Sequence, residues 1–63
     1  MVELIAKNPS QLDRCLRLLY GEHVKFYVNV YEDSRGRIYY GIAIDADPQA
    51  SARLREKYRI MIS

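Results

Sequence analysis

The clearest pattern along the chain is a pair of β-prone runs, His23–Tyr31 and Arg37–Asp45, joined by the short polar segment 32–36. Both runs are rich in β-branched and aromatic residues, and in the first run polar residues recur at alternate positions. The joining segment ends in Gly36, which suits the left-handed position that follows a type I turn. The pattern predicts a β-hairpin.

A strand and a helix are predicted before the hairpin. Val2–Ala6 is a short apolar run, and Asn8-Pro9 then places an N-cap residue before a proline at the first helical position, with Gln11 at the third. Apolar side chains follow at helical spacing: Leu12, Cys15, Leu16 and Leu19. Gly21 is typical of a left-handed stop, so we expect this helix to end there.

The C-terminal part repeats the same signal for a helix start. Asp47-Pro48 resembles Asn8-Pro9 and predicts a helix over Gln49–Lys57, although its apolar face is thin. The segment Tyr58–Ile62 alternates between apolar and other residues and contains β-branched side chains, which indicates a last short strand. Without that strand the chain would form a three-stranded sheet with two helices.

The predicted element order is strand, helix, strand, strand, helix, strand. Right-handed crossover connections favour the split βαβ, or ferredoxin-like, arrangement for this order. The predicted fold is therefore an α+β two-layer sandwich, in which an antiparallel sheet of order 4-1-3-2 carries both helices on one face. We expect residues 1–63 to form one small domain.

Strand alternation assigns side chains to two faces of the sheet. The helix-covered face is expected to take apolar residues: Leu4, Val24, Phe26, Val28, Val30, Tyr40, Ile42, Ile44, Ile60 and Ile62. The opposite face, called the open face here, is expected to combine tyrosines and cations around a floor of Gly41 and Ala43. Its predicted site residues are Lys25, Tyr27, Tyr31, Arg37, Tyr39 and Arg59, with Lys7 as a further cation. Because glycine in a central strand often marks a close approach by another group, we expect function on this face.

The amino-acid composition argues against several kinds of functional site. With one cysteine and one histidine, the chain cannot form an internal disulfide or supply the ligands of a typical zinc site. It contains no glycine-rich phosphate loop and no nucleophile–base set, so we predict no enzyme, no cofactor and no metal. The basic run 53–59 is typical of a solvated helix face. No segment has the length and apolar character of a membrane span, and the cytoplasm is the expected compartment.

Three functions remain open at this stage. A chain of 63 residues has a marginal core, which favours a homodimer or another protein partner on the open face. The alternative is a single-stranded nucleic-acid partner, because RNA-recognition motifs use an open sheet of this topology. The run 37–44 nevertheless lacks their basic-Gly-aromatic-Gly-aromatic pattern. A regulatory domain that binds a small ligand at a dimer interface is the third.

Overall fold

A computed structural model describes residues 2–62 of the chain. Its elements are β1 (Val2–Ala6), α1 (Pro9–Glu22), β2 (Lys25–Glu32), β3 (Ile38–Asp45) and α2 (Pro48–Ile62). The strands form an open antiparallel sheet of order β1-β3-β2, so β3 lies between the two edge strands. The predicted α+β class is confirmed, and the hairpin turns at Gly36 in the left-handed region with φ 78°.

Side-chain caps explain where both helices begin. The Asn8 side chain accepts a hydrogen bond from the Gln11 amide at 2.9 Å, and Gln11 Oε1 accepts one from the Lys7 amide at 2.9 Å. Asp47 Oδ1 accepts the Ala50 amide at 2.8 Å. Each cap satisfies an amide that the first turn leaves unpaired. Both predicted helix starts are therefore confirmed.

The predicted stop of α1 at Gly21 is wrong, because the helix continues to Glu22. His23 instead takes the left-handed conformation, with φ 55°. Glu22 is held in place by Arg53 and Lys57 of α2, which bind its carboxylate at 3.0 and 3.1 Å. We infer that this contact with α2 fixes the last residue of α1 beyond the point that the glycine signal indicates.

The core lies between the helices and one face of the sheet. Strand residues of even number alternate into this layer, and residues of both helices complete it. The buried apolar side chains are Val2, Leu4, Ala6, Cys15, Leu19, Ile42, Ile44, Leu54 and Tyr58. Both helices therefore cover the same face, as predicted, and the face of odd-numbered residues remains open.

The predicted fourth strand over Tyr58–Ile62 is wrong. Residues 48–62 form one continuous helix, so the sheet in residues 2–62 has three strands and the predicted order 4-1-3-2 is reduced to 1-3-2. Leu54 and Tyr58 are one helical turn apart and both are buried, and Ile62 packs against the same core. Ile60, which a strand would have placed in the core with Ile62, is 63% exposed.

The helices do not cover the whole of the sheet face on which they pack, and part of β2 remains exposed there. The Tyr20 ring of α1 meets the Phe26 ring edge-on, with centroids 5.7 Å apart, and partly covers the start of β2. Farther along the hairpin, Val28 is 40% and Val30 is 64% exposed, although both were predicted to be covered. The alternation placed these valines on the correct face, but the helices do not reach them.

None of the helices in residues 2–62 has the length and apolar character needed to cross a membrane.

Candidate functional site

The open face brings together most of the residues predicted from strand alternation. β2 contributes Lys25, Tyr27 and Tyr31, and β3 contributes Tyr39. The register places Tyr31 opposite Tyr39 and Tyr27 opposite Ala43. Directly opposed residues of an antiparallel pair share a face, so Tyr31 and Tyr39 are neighbours on it, and Tyr27 lies on the same face four residues away along β2.

Tyr31 is held in a defined position across the sheet. Its ring stacks on the Tyr39 ring, with centroids 5.2 Å apart and planes inclined by 23°. Its hydroxyl donates a hydrogen bond to Glu3 Oε2 of β1 at 3.1 Å. Because β3 lies between β1 and β2, the Tyr31 side chain passes over the central strand to reach this carboxylate.

Gly41 provides the space for that crossing. A Cβ atom at this position would lie 2.6 Å from Cε2 of Tyr31 and 2.7 Å from Oε2 of Glu3. The close approach that the glycine indicated is therefore made by the protein's own tyrosine and carboxylate. The sequence reasoning missed Glu3, although its odd-numbered position in β1 assigns it to the open face by the same alternation.

The hydrogen bond to Glu3 also changes the acidity of Tyr31. A carboxylate that accepts from the phenol stabilises the protonated form, so it raises the pKa of Tyr31. The hydroxyl therefore remains a donor to Glu3, and the carboxylate gains a partner at the centre of the open face.

A shallow groove of about 310 Å³ borders the tyrosine surface. It is lined by Ile5, Lys7, Asp33, Arg37, Ile38 and Tyr39. Asp33 Oδ1 accepts the Arg35 and Arg37 amides at 2.8 and 2.9 Å, so this carboxylate stabilises the turn. Arg37 lies in that turn, immediately before β3, and Lys7 follows β1. The groove thus combines two cations, one carboxylate and the Tyr39 side chain in its lining.

Arg59 does not belong to the open face, and that part of the predicted site is wrong. It lies on α2, where it binds Glu56 through Nε at 3.1 Å and through Nη2 at 2.6 Å. α2 covers the opposite side of the sheet, because residues 58–62 continue the helix instead of forming a strand.

The other cations of the basic run are largely paired within the chain. Arg53 and Lys57 both bind Glu22, and these hydrogen bonds lower the pKa of Glu22 to about 2. The contacts join the end of α1 to α2. Two cations of the run therefore connect α2 to α1, which agrees with the interpretation of the run as one face of a helix.

Two other kinds of site, a reactive cysteine and a metal centre, are not formed by residues 2–62. Cys15 is fully buried in the core, and this burial raises the pKa of its thiol to about 11, so the reactive thiolate is disfavoured. Within residues 2–62, no group of three histidine, cysteine, aspartate or glutamate side chains is arranged to hold a metal ion.

Comparison with known proteins adds no relative: no family model matches the chain, and neither a curated protein nor a solved structure does. The observations define a small α+β fold with an open three-stranded sheet and two helices. Function must therefore be inferred from the geometry of the sheet itself.

Proposed function

We propose that this chain is a non-enzymatic interaction module, which self-associates or binds a protein partner through its open face. The observation that carries the proposal is the prearranged tyrosine surface, in which Tyr31 is fixed by Tyr39 and Glu3 while Tyr27 remains 58% exposed. Tyrosine is enriched at protein interfaces, where its large ring offers contact area and its hydroxyl a polar contact.

The fixed position of Tyr31 favours binding in a second way. An interface side chain that becomes ordered on binding costs about 0.5–1.5 kcal/mol of rotamer freedom. Tyr31 is already held by a ring stack and a hydrogen bond, so a partner would meet a preformed surface. This is the arrangement expected of a contact surface that is complete before the partner arrives.

The charges on the open face favour a protein over a nucleic acid. Glu3 places a carboxylate near its centre, and Asp45 lies opposite Lys25 in the register. Both carboxylates oppose a phosphate backbone, whose binding depends on an excess of cations. Stacking between Tyr31 and Tyr39 also occupies one side of each ring that a base would use.

A single-stranded nucleic acid is the second candidate, and the groove is the observation that favours it. Lys7, Arg37 and Tyr39 all line it, and a combination of cations with an aromatic ring can bind a base and its phosphate.

The groove volume, about 310 Å³, is also near the lower end of small-ligand sites, which are about 300–1,000 Å³. A small ligand held at a dimer interface is accordingly the third candidate.

The test is sedimentation equilibrium of the wild type, Tyr39→Ala and the control Arg55→Ala, which shortens an exposed side chain on α2. We expect Tyr39→Ala to weaken association through the open face by at least about tenfold, because it removes an aromatic contact. Equal behaviour of the two variants would contradict the proposal for self-association.

An oligouridine titration, run in parallel at two salt concentrations, tests the nucleic-acid candidate. Under that alternative, Arg37→Ala would weaken binding and reduce its salt dependence. Salt-dependent binding that is lost in this variant would replace the protein-partner proposal with the nucleic-acid one.

A further inference from the structure

The outward backbone groups of β2 can be identified from the hairpin. The Asp33 amide donates to the Arg37 carbonyl at 2.9 Å, which makes these opposed residues a hydrogen-bonded pair. Hydrogen-bonded and non-hydrogen-bonded pairs alternate along an antiparallel ladder, so odd-numbered residues of β2 bond to β3. The even-numbered residues turn their N–H and C=O groups away from the sheet: Phe26, Val28, Val30 and Glu32.

The same alternation assigns the outward groups of β1. Even-numbered residues of β3 bond to β1, so Glu3 and Ile5 direct their backbone groups away from the sheet. The Tyr58 hydroxyl of α2 donates to the Ile5 carbonyl at 3.3 Å, and the Gln11 side chain accepts the next outward amide, that of Lys7, at 2.9 Å. Side chains of both helices therefore occupy part of this edge.

β2 presents a different edge. It has eight residues against five in β1, and it contains neither proline nor glycine. Its flanking valines, Val28 and Val30, are 40% and 64% exposed on the side that faces the helices. A long, regular and apolar edge strand is a template for pairing with another strand.

We propose that β2 pairs in antiparallel fashion with β2 of a second copy of this chain, which joins the two sheets into one. This contact uses the strand edge and goes beyond the open-face function proposed above. A two-fold axis perpendicular to the sheet places the helices of both copies on the same side. The opposed residues must then share a face, so their numbers differ by an even amount.

One register satisfies the whole outward set. With Asn29 opposite Asn29 of the second copy, Val28 meets Val30 and Phe26 meets Glu32. These are the residues whose backbone groups point outward, and each opposed pair exchanges two hydrogen bonds. A shift of two residues, with Val28 opposite itself, would pair Glu32 with Val24, outside β2.

Side chains support the same register. It sets the two exposed valines against each other on the helix side, and it sets Tyr27 against Tyr31 on the open side. Lys25 falls opposite Asp33 of the second copy, whose Oδ1 also accepts the Arg35 and Arg37 amides of its own turn, so opposite charges meet at both ends of the paired strands. The shifted register replaces this charge pair with Lys25 opposite Tyr31. The paired dimer would also extend the open face continuously across both copies.

Cross-linking tests the register. In a non-hydrogen-bonded antiparallel pair the Cα atoms are about 4.5 Å apart, which is within the range of a disulfide. Asn29→Cys at the two-fold axis is therefore expected to form a covalent dimer with oxidised glutathione as the oxidant, which takes up the two electrons and two protons of the thiols. The control, Lys25→Cys, lies about 26 Å from its counterpart in this register and should form no covalent dimer, although its strands still pair. Cys15 is buried and provides little background.

A second comparison tests the contact without a cross-link. Val30→Lys and Ile60→Lys introduce the same charge at positions that are 64% and 63% exposed, but only the first lies on the β2 edge. We expect Val30→Lys to weaken dimerisation by at least about tenfold, as an inward-pointing edge lysine does, while Ile60→Lys and Tyr39→Ala leave edge pairing intact.

Dimerisation that is lost in Tyr39→Ala but kept in Val30→Lys would assign the contact to the open face. Equal cross-linking of the two cysteine variants, or a monomeric wild type at millimolar concentration, would overturn the edge-pairing proposal.

Discussion

The two edges of the sheet differ in what protects them. At the β1 edge, α2 places Tyr58 beside the strand and satisfies the Ile5 carbonyl, whereas the outward side of β2 has exposed valines along it. Neither strand contains a proline or a glycine that would block pairing, so the protection of β1 comes from the packing of the helices. Edge behaviour in this protein therefore depends on tertiary contacts more than on the strand sequence.

A helix takes the place of the predicted fourth strand. In the order 4-1-3-2 that strand would have paired with the outer edge of β1. The same residues instead continue α2, and Tyr58 reaches the edge with its hydroxyl while its ring is buried at 4% exposure. A helix side chain thus makes one of the contacts that a strand backbone would have made.

The largest effect is expected from removing the protection of β1. Tyr58→Ala deletes a buried aromatic side chain, which costs about 3–5 kcal/mol, and it frees the Ile5 carbonyl. At about 0.05–0.15 kcal/mol per residue, the whole free energy of unfolding is of similar size, so we expect a largely unfolded protein. Circular dichroism with urea titration measures this. Arg55→Ala, on the exposed side of the same helix, is the control, and equal stability of both variants would contradict the role of Tyr58.

A smaller loss of stability is expected from Gly41→Ala in β3, the central strand that separates the two edges. Gly41→Ala forces Tyr31 or Glu3 to move, since the new Cβ would lie 2.6 Å from the tyrosine ring. We expect Tyr31 to shift and to lose its hydrogen bond to Glu3, which lowers the unfolding free energy by about 1 kcal/mol and weakens the near-ultraviolet signal from the tyrosine stack.

Gly21→Ala is the matched control for this substitution. A Cβ at Gly21 meets no atom within 4 Å, and alanine in a helix is favoured by roughly 0.5–1 kcal/mol over glycine. The control should therefore stabilise the protein. Stabilisation by Gly41→Ala as well would show that Tyr31 is not held over the central strand.

Tyr58→Phe isolates the hydrogen bond at the β1 edge. It keeps the ring and removes only the hydroxyl that donates to the Ile5 carbonyl. We expect a loss of about 1 kcal/mol, measured by urea denaturation. Tyr20→Phe, at an exposed tyrosine, should change stability by less, and a larger change there would argue against the special position of Tyr58.

The smallest effect concerns the ion pairs that join α1 to α2. Hydrogen bonds from Arg53 and Lys57 hold the pKa of Glu22 near 2, below its usual 4.5, so its stabilising contribution is present above about pH 4.5 and is lost as the pH falls toward 2. The melting temperatures of the wild type and Glu22→Gln should therefore converge in this window. Added salt should reduce the difference at neutral pH, because these groups are near the surface. A difference that stays constant from pH 7 to 2 would contradict this account.

Local signals predicted much of the fold. The turn residues and β-branched runs located the hairpin, and the Asn-Pro and Asp-Pro pairs located both helix starts, because these devices act within a few residues. Alternation also placed the strand residues that it assigned, such as Phe26, Ile42 and Tyr39, on the correct face of the sheet. These are short-range preferences that the sequence states directly.

The errors arise where packing over a longer range decides. Tyr58 and Ile62 are compatible with a strand alternation and also with helical spacing from Leu54, and burial of that helical face favoured the helix. Arg59 was misplaced as a consequence. The exposure of Val28 and Val30 depends on how far the helices extend over the sheet, and the contact of Tyr31 with Glu3 depends on strand order. Neither can be obtained from local pattern alone.

The measurement that tests the central comparison most directly is amide hydrogen exchange of the two edges, followed by NMR at two protein concentrations roughly tenfold apart. The outward amides of Phe26, Val28 and Val30 report on β2, and those of Glu3 and Ile5 report on β1. We predict that protection of the β2 amides rises with concentration while the β1 amides keep the same exchange rates. Outward β2 amides that exchange equally fast at both concentrations, or protection that rises instead at β1, would contradict the account.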